Sequence, residues 1–97
     1  MSPVPMASVE KPPAMNITLK LFSVLEKHLP PDAVRNQSLI EIADGASVGD
    51  VLAAHGVPLP LCQIILVNGV YSRPADVDDV TLKPDDVLAV WPPVAGG

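Results

Sequence analysis

The sequence is poor in aromatic residues, in cations and in sulfur, and each shortage narrows what it can be. Phe22, Tyr71 and Trp91 are the only aromatic side chains among 97 residues, so a core must be assembled from Val, Leu, Ile and Ala. Six Lys and Arg face eleven Asp and Glu, for a formal net charge of -5, and no basic cluster occurs. Nucleic-acid binders need cationic side chains to displace counterions from phosphates, so no nucleic-acid partner is expected. An acidic protein of this size suits a basic protein surface instead. The single Cys62 cannot close an internal disulfide, which fits a reducing cytoplasm. No apolar run approaches the roughly 20 residues that span a bilayer, and the start lacks the basic and apolar regions of a secretory signal. The expectation is a cytoplasmic protein with no membrane partner.

Conventional catalytic equipment is also missing. There is no Ser-His-Asp spacing of any specificity, no Gly-rich phosphate loop and no cluster at metal-ligand spacing. His28 and His55 stand apart, too few to meet the ligand count of a metal site. Cys62 has no adjacent base or cation to lower its pKa and reads as a packed thiol. Asp76, Asp78, Asp79, Asp85 and Asp86 lack the spacing of a calcium loop and read as turn residues. The chain is therefore expected to be no enzyme, with no catalytic residue, no metal and no permanently bound cofactor.

What is present is a patterned body between two distinctive ends. Residues 1–14, with Pro3, Pro5, Pro12 and Pro13 and little to bury, read as a disordered extension; Met6 and Met15 offer alternative translation starts. Asn16 to Phe22 alternates, placing Ile17, Leu19 and Leu21 on one face and Thr18, Lys20 and Phe22 on the other, the signature of a half-buried strand. Leu25 and Leu29 can share a helical turn, which Pro30-Pro31 stops. Ser38 to Ile42 reads as a second strand. The clearest helix is Val48 to His55, with Ser47 and Asp50 as a capping box, Val48, Val51 and Leu52 as the apolar stripe, and Gly56 as the left-handed stop. Gln63 to Val67 is a continuous apolar strand before the Asn68-Gly69 turn, and Val70-Tyr71 continues after it. A short segment surrounds Val80 and Leu82. Val87 to Trp91 is the last strand, ended by Pro92-Pro93.

The order β, β, α, β, β suits one mixed sheet crossed by a single helix, with the first and last strands parallel at its centre. That is an α+β fold of the β-grasp, ubiquitin-like kind, over residues 15–93. Residues 94–97 form a flexible tail. In the last strand Leu88 and Val90 alternate with Val87, Ala89 and Trp91; where the first two point inward, as the family resemblance given below implies, Trp91 and Phe22 fall on the open sheet face near Pro92 and Pro93. They either form an apolar docking patch or fold over the edge of the core.

After Pro92-Pro93 come Val94, Ala95, Gly96 and Gly97. Prolines direct an extended departure, and glycines thread a channel too narrow for a Cβ. The Gly97 carboxylate is then an unhindered handle, although a Gly-Gly end is also a common frayed terminus. Activation needs ATP: attack of the carboxylate on the α-phosphate gives an acyl-adenylate, from which a sulfur nucleophile displaces AMP.

Read together, several segments from Asn16 to Gly97 resemble the MoaD/ThiS family of sulfur carriers. They are Leu19-Lys20-Leu21-Phe22, GASVGDVL from Gly45 to Leu52, LVNG from Leu66 to Gly69, and above all VWPPVAGG from Val90 to Gly97. The resemblance implies a β-grasp, adenylation of Gly97 by an E1-like enzyme of the MoeB/ThiF type that uses ATP, and a thiocarboxylate at Gly97. It also implies that Val94, Ala95 and Gly96 thread into partners, with Phe22, Trp91, Pro92 and Pro93 at the docking surface. The ending is most similar to the molybdopterin synthase small subunit, whose partner would be a MoaE-type large subunit. Carriers for thiamine, cysteine or tungsten-cofactor synthesis, a ubiquitin-like protein modifier and a binding module are the alternatives. Two features depart from the family pattern: a long N-terminal extension, and Pro84-Asp85-Asp86 where a Gly-Asp turn is usual.

Overall fold

The computed structural model describes residues 14–93. It holds a five-stranded sheet and one α-helix, together with short 3-10 stretches. The strands are β1 (Ala14–Leu21), β2 (Gln37–Ala43), β3 (Ile64–Val67), β4 (Val70–Ser72) and β5 (Val87–Trp91), and the helix is α1 (Val48–Ala54). The order across the sheet is β2-β1-β5-β3-β4. β1 and β5 are parallel neighbours at the centre, with Leu19 beside Leu88 and Leu21 beside Val90. The other pairings are antiparallel. This is the α+β β-grasp that the order of elements predicts.

Alternation decides what each central strand buries. Ile17, Leu19 and Leu21 of β1 and Leu88 and Val90 of β5 are fully inside. They meet Val48, Val51 and Leu52 of α1 in one core, each such side chain contributing about 1.5–3 kcal/mol of transfer free energy. Seven residues are too few for a helix to persist alone, so this contact and the cap hold α1. The capping box is present in both directions: Ser47 Oγ accepts from the Asp50 amide and an Asp50 carboxylate oxygen accepts from the Ser47 amide, each at 3.0 Å. Gly56, at φ +70°, terminates the helix.

Several boundaries and segments differ from the sequence reading. β1 starts at Ala14, two residues early and inside the stretch assigned to the extension, because Met15 is buried and Ala14 and Met15 pair with Ala43 and Ile42. The rest of that extension, residues 1–13, and the tail, residues 94–97, lie outside the described residues. β1 also ends at Leu21, since Ser23 takes φ +56° and turns the chain. Ser23–His28 is a 3-10 helix that buries Leu25. The segment around Val80 and Leu82 joins no strand: it follows a 3-10 helix over Pro74–Asp79, and its backbone is held by the approach to α1. Val48 donates to Val80 O and Leu82 to Ala46 O, both at 2.9 Å. No helix among the described residues is long and apolar enough to cross a membrane.

Candidate functional site

The site is the end of β5 and the sheet face around it. β5 is held on both sides, so the point where the chain leaves the sheet is fixed by two neighbours. On one side Phe22 donates its amide to Val90 O at 3.2 Å, and on the other Gln63 donates to Trp91 O at 2.8 Å. The start of β5 is fixed as firmly. Asn68, in the left-handed conformation of the β3–β4 turn at φ +52°, accepts from the Val87 amide at 2.8 Å and donates to Asp86 Oδ1 at 2.8 Å. The other Asp86 oxygen accepts from the Lys83 amide at 2.8 Å. Asp86 therefore builds the turn into β5. Asp76 instead pairs with Arg73 at 2.9 Å on the surface, where such pairs add little.

Val87, Ala89 and Trp91 alternate with Leu88 and Val90 of the core cluster, so Trp91 faces away from α1. Its ring stacks on Phe22, with centroids 4.4 Å apart and planes within 1°. Both rings are half-buried, and neither belongs to the core cluster. The register extends this patch: Trp91 lies beside Ile64, Ala89 beside Leu66, and Leu66 beside Tyr71. Ile64 is 41% exposed and Tyr71 55%, so apolar surface runs from the exit of β5 towards the β4 edge. Pro92 is buried and Pro93 exposed where the described chain ends. The structure thus stacks Phe22 on Trp91, with Pro92 and Pro93 next along the chain. Val94, Ala95, Gly96 and Gly97 lie outside the described residues.

Sequence reasoning missed Ile64, Leu66 and Tyr71 as members of this face. Ile64–Val67 is apolar throughout and so shows no alternation. The usable signal was the two-residue Asn68-Gly69 turn, which fixes the register and sets Tyr71 opposite Leu66.

Cys62 belongs to the core cluster and not to the exposed patch. Cys62 is 3% exposed, and burial pushes its thiol above the ordinary range, so it stays protonated at neutral pH. The raised folded-state pKa favours folding below the unfolded thiol's pKa, and that contribution is lost as pH rises through the folded value. Among the described residues, no group of three or more His, Cys, Asp or Glu converges as a metal site would require.

Comparison with known proteins agrees with this architecture. The solution structure of the HVO 2177 protein from Haloferax volcanii superposes with a TM-score of 0.68 at 25% identity, over 91% of this chain and 92% of that one. SAMP1 from the same organism gives 0.58 at 23% identity, over 84% and 99%. A Pyrococcus furiosus protein named for molybdopterin converting factor subunit 1 gives 0.57 at 24%, over 82% and 99%. Among curated proteins, none matches the sequence significantly. The β-grasp expected from the sequence is the fold found, and the chain is ubiquitin-like. Residues 14–95 match the Mut7-C ubiquitin family, and the chain belongs to that family.

Proposed function

We propose that this protein is a sulfur carrier whose Gly97 carboxylate is the working group. An E1-like enzyme of the MoeB/ThiF type uses ATP to adenylate it. The carboxylate oxygen bonds to the α-phosphorus and pyrophosphate departs. Hydrosulfide or an equivalent sulfur donor then attacks the acyl carbon and expels AMP, leaving a thiocarboxylate. The acceptor is a MoaE-type large subunit of molybdopterin synthase, which would take the sulfur into a pterin dithiolene. The similarity in fold to the Pyrococcus furiosus molybdopterin converting factor subunit supports this choice of acceptor.

The observation that carries the reading is the exit of β5. A strand clamped on both sides runs into Pro92-Pro93 beside the Phe22–Trp91 stack, and the sequence beyond is Val-Ala-Gly-Gly. The carrier's part is to present an acyl carbon free of side chains, while activation belongs to the partner.

The test is mass spectrometry of the chain after incubation with ATP, a MoeB/ThiF-type enzyme and a sulfide source. Replacement of one carboxylate oxygen by sulfur adds about 16 Da, and the gain should vanish when Gly97 is deleted or followed by one extra residue. Conjugates to lysines of other proteins, without that gain, would make the chain a protein modifier instead. An extended tail that is still activated would defeat both readings. Restoration of molybdopterin synthesis in cells lacking their own small subunit checks the acceptor.

A further inference from the structure

β2 is an edge strand whose outer side is open among the described residues. Backbone groups in a strand point alternately to its two sides, and the flanking bonds fix the phase. Thr18 donates to Asp86 O on the β5 side of β1, while Leu21 donates to Asn36 O on the β2 side. Ser38, Ile40 and Ile42 therefore bond to β1, and Leu39, Glu41 and Ala43 turn their amides outward. Gln37 and Val34 bond each other, and Ala43 O accepts from Ala46. The amides of Leu39, Glu41 and Ala43 and the carbonyls of Leu39 and Glu41 have no backbone partner among the described residues.

Natural sheets blunt such an edge by shortness, Lys or Pro. The opposite edge, β4, has three residues. β2 has seven, with neither Lys nor Pro, and its Leu39 is 68% exposed. Beside it, between β2 and α1, runs a groove of about 440 Å³ floored by Ile42, Val51 and Ala54 and rimmed by Glu41, Asp44 and Asp50. An added strand would place every second side chain over this apolar floor and carry its ends past the carboxylates.

We propose that the outer edge of β2 receives an extended protein segment as a sixth strand, with small β-branched side chains over the Ile42–Val51–Ala54 floor and Lys or Arg flanks against Glu41, Asp44 and Asp50. Pairing with a second copy is disfavoured by the same charges. Antiparallel β2–β2 contact sets two acidic rims together on chains that each carry -5. The proposal does not depend on the tail chemistry. β2 lies two strands from β5, roughly 10 Å across the sheet, so the carrier can be held at β2 while its tail is being used.

The probe is a blocked peptide of alternating Val and Thr flanked by arginines, added to the full isotope-labelled chain and followed by amide hydrogen exchange. Protection of the Leu39, Glu41 and Ala43 amides is expected, with the amides of β4 unchanged. The surface variant Glu41→Lys/Asp44→Lys should weaken this peptide by about five-fold or more and strengthen a glutamate-flanked one. Three results overturn the proposal: protection at β4 instead, no protection at about 1 mM peptide, or β2 amides already protected in the free chain, which would assign the edge to a second copy or to the chain itself.

Discussion

Asp85 stands in a left-handed conformation, φ +69°, with its amide donating to Asn16 O at 2.8 Å, at the place where sulfur carriers usually have glycine. The conformation costs a non-glycine residue roughly 1 kcal/mol, of which Asp recovers part because its short side chain tolerates the region. Asp85→Gly removes the strain but adds unfolded-chain entropy, so a net gain of about 0.5 kcal/mol is expected, read as a rise of a few degrees in Tm. Asn68 differs, because it adopts the same region and also clasps Val87 and Asp86. Asn68→Ala should cost about 2–3 kcal/mol, from backbone strain plus two lost bonds. Asn68→Gly keeps the turn and loses only the clasp, so about 1–2 kcal/mol is expected. Chemical denaturation of the pair separates the contributions. A glycine variant as stable as the parent would show that the clasp contributes nothing to placing β5.

At the scale of elements, α1 is the most local structure in the chain, and its cap is the most exposed to a single change. Ser47→Ala removes the acceptor for the Asp50 amide and should cost about 1 kcal/mol. Ser47→Asp should recover most of it, since a carboxylate also caps and suits the helix N-terminus. Equal melting of both variants would mean that packing of Val48, Val51 and Leu52 alone sets the helix. This locality explains why α1, β1 and β5 were legible in the sequence. Caps and alternation are written within a few residues, and Pro92-Pro93 punctuates the end. The 3-10 stretches at Ser23–His28 and Pro74–Asp79 were not legible, because their geometry follows from what they bury, Leu25 and Val77, and from prolines that only forbid alternatives. Ala14 read as extension and Met15 stood outside the first strand, because a two-residue overhang shows no periodicity; pairing with β2 is what recruits them. Of the candidate site, alternation gave each strand two faces, and the family pattern chose the one that carries Phe22 and Trp91. Their stacking depends on β1 and β5 being parallel neighbours, a contact between distant segments that no local pattern encodes.

For the whole molecule, the open question at the end of β5 is whether the stacked pair exists for the fold or for a partner, and the two roles move different measurements. Parallel aromatic stacking adds about 0.5–1.5 kcal/mol beyond area burial, and each ring here is only half-buried. Trp91→Ala is therefore expected to lower stability by about 1–2 kcal/mol, since the strand keeps its backbone bonds to Phe22 and Gln63. Phe22→Ala should cost a similar amount, and the double variant less than the sum by the stacking energy. Binding should respond more steeply. In a partner interface the large half-exposed aromatics are the groups whose loss matters most, so each single variant should weaken association with the proposed activating enzyme at least about ten-fold. Calorimetry and a binding titration on the same four proteins settle it. If Trp91→Ala melts several degrees lower yet binds as the parent does, the rings serve the sheet, and the docking surface must lie further along Ile64, Leu66 and Tyr71.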